Sequence, residues 1–323
     1  MSFVPSRVLV TGATGFVGRH LLAALAAAFP DAELVPAARA GETDGAGRPV
    51  RGFDLLDPGA VDRLVAAVRP DACVHLAALS AVAESFNDPD AAWKANVDGT
   101  RTLAAALLRD APECRLLHVS SGEVYGLSFN DACPLDERAP LRPANPYAAA
   151  KAAADTALGE MALRGLRVLR LRPLNHVGAG QLPRFALASF ARQIARIEAG
   201  AQPPVVRTGA LDRRRDFLDV RDVCAAYVAA LGRIDALPAG TVLDIASGKP
   251  RALGDALADL LRLAGLRAEV EEEASILRPT DLPCTCCSGA AARRALDWAP
   301  RIAWDDTLAA ILEGWRAAEA RNA

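Results

Sequence analysis

A glycine-rich segment near the start of the chain constrains the fold more than any other feature of the sequence. The residues TGATGFVG (11–18) follow an apolar run (7–11) and lead into an alanine- and leucine-rich stretch (16–28). Glycines between a strand and a helix let the backbone approach a pyrophosphate, and the free N–H groups of the helix start attract its charge. The segment therefore predicts a dinucleotide-binding turn between a first strand and a first helix.

The first half of the chain alternates short apolar runs with longer helical stretches. The predicted strands are 7–11, 34–38, 72–76, 115–120 and 167–172, and the predicted helices are 16–28, 58–68, 91–108 and 147–163. Strands that are apolar throughout and separated by helices are typical of a parallel sheet covered on both faces. We therefore expect an α/β fold with a doubly wound Rossmann sheet.

The pattern becomes irregular after Pro173, where helices are predicted at 185–199, 220–231 and 253–263. This change indicates a second, smaller α/β domain that is interleaved with the first. We expect the boundaries to be 1–174 for the NAD(P)-binding Rossmann domain and 175–323 for the second domain. A segment of the second half, about 217–247, is expected to return to the Rossmann domain.

Composition excludes several classes of protein. Of the 323 residues, 52% are hydrophobic, which supplies a large core and argues against a disordered chain. The 37 basic and 39 acidic residues give a net charge of −2, so no basic excess indicates a nucleic acid or an anionic membrane as partner. No apolar run reaches the length of a bilayer span, and none reads as a secretory signal.

The seven cysteines are an odd number and are widely spread along the chain. In a chain of this length they indicate reduced thiols and a cytoplasmic location. A Cys284-Thr-Cys286-Cys287 cluster has no second cysteine pair or nearby histidine that would complete four ligands. The sequence therefore predicts no metal site.

Tyr147 and Lys151 are four positions apart on a predicted helix, so their side chains share one face. The chain has only three lysines, Lys94, Lys151 and Lys249, which makes this pairing specific. An ammonium group beside a phenol stabilises the phenolate and is expected to lower the pKa of Tyr147 from its usual value near 10. A tyrosine tuned in this way can donate or accept a proton near neutral pH.

The choice of dinucleotide depends on the end of the second strand. An acidic residue there would bind the ribose hydroxyls of NAD, whereas an arginine suits the 2′-phosphate of NADP. The chain has Ala38-Arg39 at this point and no Asp or Glu. NADP(H) is therefore the favoured cofactor, with NAD(H) as the alternative.

Several motifs occur in one characteristic order along the chain. They are TGATGFVG (11–18), FDLLD (53–57), HLAALS (75–80), Asn96, SSGEVYG (120–126), YAAAK (147–151) and LRPLNHVG (171–178). With them, nearly the whole chain resembles the extended short-chain dehydrogenases/reductases.

This resemblance implies specific roles at the catalytic positions. Tyr147 is expected to be the general acid/base, Ser121 to bind the substrate oxygen, and Lys151 to hold the nicotinamide ribose and tune Tyr147. Glu123 is the fourth catalytic position, holding sugar hydroxyls in a reductase or removing the C5 proton in a dehydratase. Together with Arg39, the cofactor positions are Gly12, Thr14, Gly15, Phe16, Val17, Gly18, Asp54, Leu55, Leu76, Ala77, Ala78, Asn96, Tyr147, Lys151 and Pro173.

Three motifs in the second half are similar to the branch of this family that acts on nucleotide-diphosphate sugars. They are LRPLNHVGAGQ (171–181), RRRDFLDVRD (213–222) and LRPTDLP (277–283). By this resemblance Asn175, Arg215 and Arg278 contact the diphosphate, which agrees with the bidentate affinity of guanidinium for phosphate. The other expected substrate positions are Ser80, Ser121, Glu123 and Gln181.

Within the branch, the second half is most similar to reductases that convert GDP-4-keto-6-deoxy-D-mannose to GDP-D-rhamnose. A GDP-mannose 4,6-dehydratase and another nucleotide-sugar epimerase or reductase remain as alternatives. A non-catalytic dinucleotide sensor with the same fold is an alternative of another class. Such sensors commonly lack the tyrosine or the lysine, and this chain has both.

The predicted helices 91–108 and 147–163 are rich in alanine and leucine around more of their circumference than one buried stripe requires. Members of the resembled family pair these two helices across a two-fold axis as a four-helix bundle. We therefore expect a homodimer.

Overall fold

The computed structural model describes residues 2–39, 43, 47, 49–273 and 282–321. The strands are β1 Arg7–Thr11, β2 Glu33–Ala38, β3 Arg51–Gly52, β4 Ala72–His75, β5 Arg115–Val119, β6 Val168–Pro173, β7 Asn175–Val177, β8 Val205–Thr208, β9 Arg214–Asp219, β10 Val242–Ile245, β11 Pro250–Ala252, β12 Glu269–Glu272 and β13 Cys284–Thr285. The helices are α1 Phe16–Ala28, α2 Pro58–Val68, α3 Val82–Asn87, α4 Pro89–Trp93, α5 Thr100–Asp110, α6 Pro146–Leu163, α7 Ala186–Glu198, α8 Val220–Gly232, α9 Leu253–Ala264, α10 Ala290–Leu296 and α11 Trp304–Ala320.

Seven strands form one large sheet in the order β3-β2-β1-β4-β5-β6-β10. Every pairing in it is parallel. The order changes direction at β1, and ligands of such sheets bind at the carboxyl ends of the strands beside this switch point. The predicted doubly wound Rossmann sheet is confirmed, and its switch point is the glycine-rich turn after β1.

The two faces of this sheet are covered by different helices because successive strand side chains point to opposite sides. Val8 and Val10 of β1 pack with α1 and α8 in one buried cluster. Leu9, which lies between them, belongs to a second cluster with α2, α5 and α6. The core is therefore split into two layers by the sheet.

A smaller unit is built around β9, which pairs with β7, β11 and β13, while β8 and β12 form a separate two-stranded sheet. Helices α7, α9 and α11 enclose the apolar cluster of this unit, which includes Phe190, Leu257 and Leu308. Between β9 and β11 the chain adds α8 to one face of the large sheet and β10 to its edge, where β10 pairs with β6.

The predicted helix 91–108 is wrong in one respect, because it is not one regular helix. The chain forms α4, then a π-helical segment at Lys94–Gly99, and then α5. The π-helical segment contains Asn96, whose buried side chain is bonded to the backbone of Leu79. Such π-bulges are frequent at functional sites.

The seven cysteines are free thiols. The sulfur atoms of Cys133 and Cys284 lie 2.6 Å apart and join the loop near Pro134 to β13. Within the described ranges, no three His, Cys, Asp or Glu side chains are grouped in a way that could hold a metal ion. No helix in the same ranges is both long and apolar enough to cross a bilayer.

Candidate active site

The glycine-rich turn has no room for side chains at two of its glycines. Gly12 has a φ of +70°, and a Cβ there would lie 2.8 Å from the amide nitrogen of Ala77. A Cβ on Gly18 would lie 2.5 Å from the carbonyl oxygens of Gly12 and Ala13. The turn is therefore a backbone cradle pressed against the end of β4.

The start of α1 adds a charge preference to this cradle. Gly15 precedes the helix and has no side chain that could cap the N–H groups of Phe16, Val17 and Gly18. These groups carry the positive end of the helix dipole, which favours an anion. The turn thus fits the pyrophosphate of a dinucleotide, as predicted from its sequence.

A buried polar chain fixes the neighbouring segment Leu76–Ala78. The Thr11 hydroxyl accepts from the N–H of Ala77 at 3.3 Å and is bonded to Nδ1 of His75 at 2.7 Å. Nε2 of His75 lies 3.0 Å from the hydroxyl of Thr100. Burial and the charge of Lys151 lower the pKa of His75 to about 3, so its ring is neutral. These hydrogen-bonded side chains hold the end of β4 beside Gly12.

Asn96 acts on the next part of the same loop. Its Oδ1 accepts from the N–H of Leu79 at 2.9 Å, and its Nδ2 donates to the carbonyl of Leu79 at 3.0 Å. Asn96 therefore supports the loop through a pair of hydrogen bonds to one residue. Ser80, the adjacent predicted substrate position, is exposed.

The predicted catalytic residues come together at the start of α6. The hydroxyl of Ser121 lies close enough to the phenol of Tyr147 to lower its pKa. Ser121 Oγ also accepts from the N–H of Glu123 at 3.1 Å, and the carboxylate of Glu123 accepts from Nδ2 of Asn145 at 3.3 Å. Asn145 caps α6 by accepting from the N–H of Ala148 at 2.8 Å. The cap thus connects Glu123 to the helix that carries Tyr147.

The predicted direction of the pKa shift at Tyr147 is wrong in this structure. The pKa of Tyr147 is raised to about 12, mainly by burial; the nearby Ser121 hydroxyl acts to lower it, and the charge of Glu123 contributes a smaller rise. Burial removes the water that would solvate a phenolate, and this outweighs the expected effect of Lys151. The phenol of Tyr147 is therefore protonated at neutral pH.

Lys151 lies one helical turn after Tyr147 and is buried. Its Nζ donates to the carbonyl of Val119, at the end of β5, at 2.5 Å. Burial lowers the pKa of Lys151 to about 8, and the negative charge of Asp155 acts against this shift. Asp155 is itself held by Arg170 and Arg172 through contacts of 2.9 Å. The lysine therefore remains mostly protonated near pH 7.

The positions expected to bind the adenosine half of the cofactor lie toward the other edge of the large sheet. Arg39 follows β2 and is exposed. Asp54 is exposed and accepts from the N–H of Leu56 at 2.9 Å. Leu55 is buried against Gly99, where an added Cβ would lie 2.6 Å from its Cγ. Pro173, another predicted cofactor position, lies on the opposite side of β1, where it ends β6 and is buried.

Of the four substrate positions predicted in the second half of the chain, the structure describes three. Asn175 is exposed on β7. Gln181 is buried, and its Nε2 donates to the carbonyl of His176 at 2.9 Å. Arg215 donates from Nη1 to the carbonyl of Leu282 at 2.8 Å, which ties β9 to the segment that precedes β13. Arg278 lies outside the described residues.

Two supporting residues were missed in the sequence. Asn145 caps α6 ahead of Pro146, and an asparagine followed by proline is a recognisable helix-start signal. Ser85 accepts from the N–H of Tyr147 at 3.1 Å. No local pattern indicates that contact, because the two residues are 62 positions apart.

Comparisons with known proteins agree with the geometry. The NAD dependent epimerase/dehydratase family matches residues 8–246. A curated relative, the GDP-6-deoxy-D-mannose reductase of Pseudomonas aeruginosa, is 36% identical over 310 residues, covering 96% of this chain and 97% of the relative. The structure of RMD from Pseudomonas aeruginosa complexed with NADPH matches with a TM-score of 0.86 and 35% identity, covering 97% of this chain and 99% of that chain. The UDP-glucose 4-epimerase of Thermus thermophilus complexed with NAD matches with a TM-score of 0.83 and 27% identity, covering 97% and 99%.

The Rossmann sheet, the glycine cradle and the Ser121–Tyr147–Lys151 arrangement define an NAD(P)-dependent oxidoreductase of the extended short-chain dehydrogenase/reductase type. Within that class, the chain belongs to the NAD dependent epimerase/dehydratase family.

Proposed function

We propose that this enzyme reduces a nucleotide-diphospho-4-keto-6-deoxy sugar, converting GDP-4-keto-6-deoxy-D-mannose to GDP-D-rhamnose. The observation that carries the proposal is the position of the Ser121 hydroxyl beside the buried phenol of Tyr147, with the buried ammonium group of Lys151 one helical turn further along α6. The reductase from Pseudomonas aeruginosa, which matches almost end to end, supports the choice of substrate.

In the proposed reduction of the carbonyl group, Ser121 and Tyr147 have different roles. When bound, the dihydronicotinamide supplies the hydride for the C4 carbonyl carbon. Ser121 holds the carbonyl oxygen, and Tyr147 gives its phenolic proton to that oxygen as negative charge develops on it. Tyr147 holds its proton at neutral pH, which is the protonation state that a general acid needs.

Lys151 and Glu123 have supporting roles in this proposal. The ammonium group of Lys151 holds the nicotinamide ribose and stabilises the tyrosinate that remains after proton transfer. Glu123, held by Asn145, accepts hydrogen bonds from sugar hydroxyls. The arginines at 215 and 278, together with Asn175, bind the diphosphate, since two guanidinium groups offset its charge.

We propose NADPH as the preferred cofactor and the cytoplasm as the location of the enzyme. Arg39 is exposed directly after β2, the position at which an arginine suits a 2′-phosphate, and the RMD structure from Pseudomonas aeruginosa contains NADPH. Other similar structures contain NAD, so titration with both dinucleotides is needed to measure the preference. The seven free thiols suit a reducing compartment.

A GDP-mannose 4,6-dehydratase activity is the second candidate, because Glu123 lies beside Tyr147 in the position of a possible C5 base. The deciding experiment offers the protein GDP-mannose with NADP⁺, and separately GDP-4-keto-6-deoxy-D-mannose with NADPH. Loss of absorbance at 340 nm in the second mixture, with GDP-D-rhamnose identified by NMR, supports the reductase. A 4-keto product from GDP-mannose supports the dehydratase.

A thermal-shift panel of GDP-, UDP-, dTDP- and CDP-sugars with each cofactor completes the test. Ligands that bind only the folded state raise the melting temperature by mass action. If NADPH and a GDP-sugar both bind but no NADPH is consumed, the protein is a dinucleotide sensor and the proposal fails.

A further inference from the structure

The backbone N–H groups at the start of α6 can be accounted for one by one. The first N–H groups of a helix have no partner inside the helix and must be satisfied from outside. Pro146 has no N–H, and those of Ala148 and Ala149 donate to Asn145, to its side chain at 2.8 Å and its carbonyl at 2.9 Å. The N–H of Tyr147 is left for a partner from another part of the chain.

Ser85 supplies that partner from the short helix α3. Its Oγ accepts from the N–H of Tyr147 at 3.1 Å, and its own hydroxyl proton donates to the carbonyl of Val82 at 2.7 Å. Ser85 has no exposed surface. Because the hydroxyl proton is committed to Val82, a lone pair of the oxygen is directed at the N–H of Tyr147.

The same short helix also contacts the second half of the chain. Glu84, next to Ser85, forms an ion pair with Arg184, which lies between Gln181 and α7. Helix α3 packs against α6 as well. The segment that follows Gln181 is therefore connected, through α3, to the backbone of Tyr147.

We propose that Ser85 is a positioning residue for catalysis, which sets the backbone of Tyr147 so that the phenol meets the substrate oxygen. This inference rests on the proposed role of Tyr147 as proton donor. Without the Ser85 hydroxyl, a buried N–H loses its acceptor, and the first turn of α6 must move to recover one. A displacement near 1 Å at a reacting group can lower a rate about a hundredfold.

The test compares two buried serines that each donate one hydrogen bond at the same distance. Ser128 is 2% exposed, and its Oγ donates to the carbonyl of Pro140 at 2.7 Å, whereas the N–H of Tyr147 donates to Ser85. Ser85→Ala is expected to lower kcat about tenfold or more, with little change in KM and an increased solvent isotope effect. Ser128→Ala is expected to leave kcat and the isotope effect unchanged. Ser85→Thr, which keeps a hydroxyl, is expected to restore activity in part.

An activity-independent measurement separates this inference from the proposed function. Amide hydrogen exchange of the peptide that contains Tyr147 should be faster in Ser85→Ala than in the wild type, and unchanged in Ser128→Ala. Faster exchange without any reductase activity in the wild type would contradict the proposed function alone. Unchanged exchange, or equal losses of kcat in both alanine variants, would overturn the role of Ser85.

Discussion

The phenol of Tyr147 is buried and protonated beside the Ser121 hydroxyl, and a single substitution can test the role of its proton. We expect Tyr147→Phe to lower kcat by at least about a hundredfold, the scale of general acid catalysis. The affinity for NADPH, measured by fluorescence titration, should be nearly unchanged, because the aromatic ring is retained.

Tyr227 provides the matched control for this change. It is fully buried on α8, and its hydroxyl has no hydrogen-bond partner among the described residues. Tyr227→Phe therefore removes the same atom from a similar environment and should leave kcat unchanged. Near-wild-type turnover in Tyr147→Phe would remove the general-acid assignment.

Arg39 carries the choice between the two dinucleotides. Arg39→Ala should weaken NADPH binding and leave NADH binding nearly unchanged, because only the 2′-phosphate uses the guanidinium group. Titration of both cofactors measures the two affinities, and Arg267→Ala, at an exposed site in the second unit, controls for the loss of one positive charge. Equal weakening of both cofactors, or a wild-type preference for NADH, would contradict the assignment.

Among the elements, β10 is connected to the catalytic helix by a row of buried polar groups. Asp244 of β10 accepts from the Tyr125 hydroxyl at 2.8 Å, and that hydroxyl accepts from Arg172 at 3.0 Å. Arg172 in turn holds Asp155 of α6. Burial, with a contribution from Glu137, raises the pKa of Asp244 to about 7.

This shift predicts how stability depends on pH. Between about pH 4 and 7 the native protein keeps a proton on Asp244 that the unfolded chain has released. The native state then binds more protons, so this group makes the free energy of unfolding fall as pH rises through that range. Asp244→Asn removes this titrating group. The free energy of unfolding of Asp244→Asn minus that of the wild type should therefore be larger at pH 7.5 than at pH 5.

Urea denaturation at the two pH values measures the difference. The exposed Asp31→Asn is the control and should show no pH-dependent change relative to the wild type. If the Asp244→Asn and wild-type curves stay parallel between pH 5 and 7.5, Asp244 does not titrate in this window.

Elements formed by local patterns were predictable from the sequence, and those set by distant contacts were not. The strands around β1 and helices such as α7 follow from apolar runs and helical periodicity. The π-helical segment did not, because no local pattern marks it and its Asn96 makes its hydrogen bonds to Leu79, 17 positions earlier in the chain. The pKa of Tyr147 was misjudged for a related reason, since its burial is a property of the packed molecule.

On the scale of the whole molecule, the outer face of α6 favours a dimer. Ala149 and Ala153 are only half-buried, whereas Ala152 is buried in the core. Phe86 and Trp93, on the neighbouring helices α3 and α4, are 41% and 47% exposed. We propose that this small and apolar surface pairs with a second copy across a two-fold axis.

The dimer is tested by light scattering, where a mass near twice 33.8 kDa is expected. Ala149→Arg should give the monomer mass, because a large charged side chain would enter the paired surface. Ala309→Arg, at an exposed position on α11, should remain dimeric. A monomer mass for the wild type at micromolar concentration would refute the pairing.

The place of β10 at the edge of the large sheet also constrains the order in which the protein can be made. During synthesis, β6 emerges from the ribosome long before β10, its neighbour in the finished sheet. Until residue 245 has been translated, β6 is an unpaired edge whose free backbone groups can pair with another chain. A fragment that stops at residue 174 would therefore keep the glycine cradle and Tyr147 but expose β6 as an unpaired edge strand. The large sheet is therefore completed only after part of the second half of the chain has been synthesised.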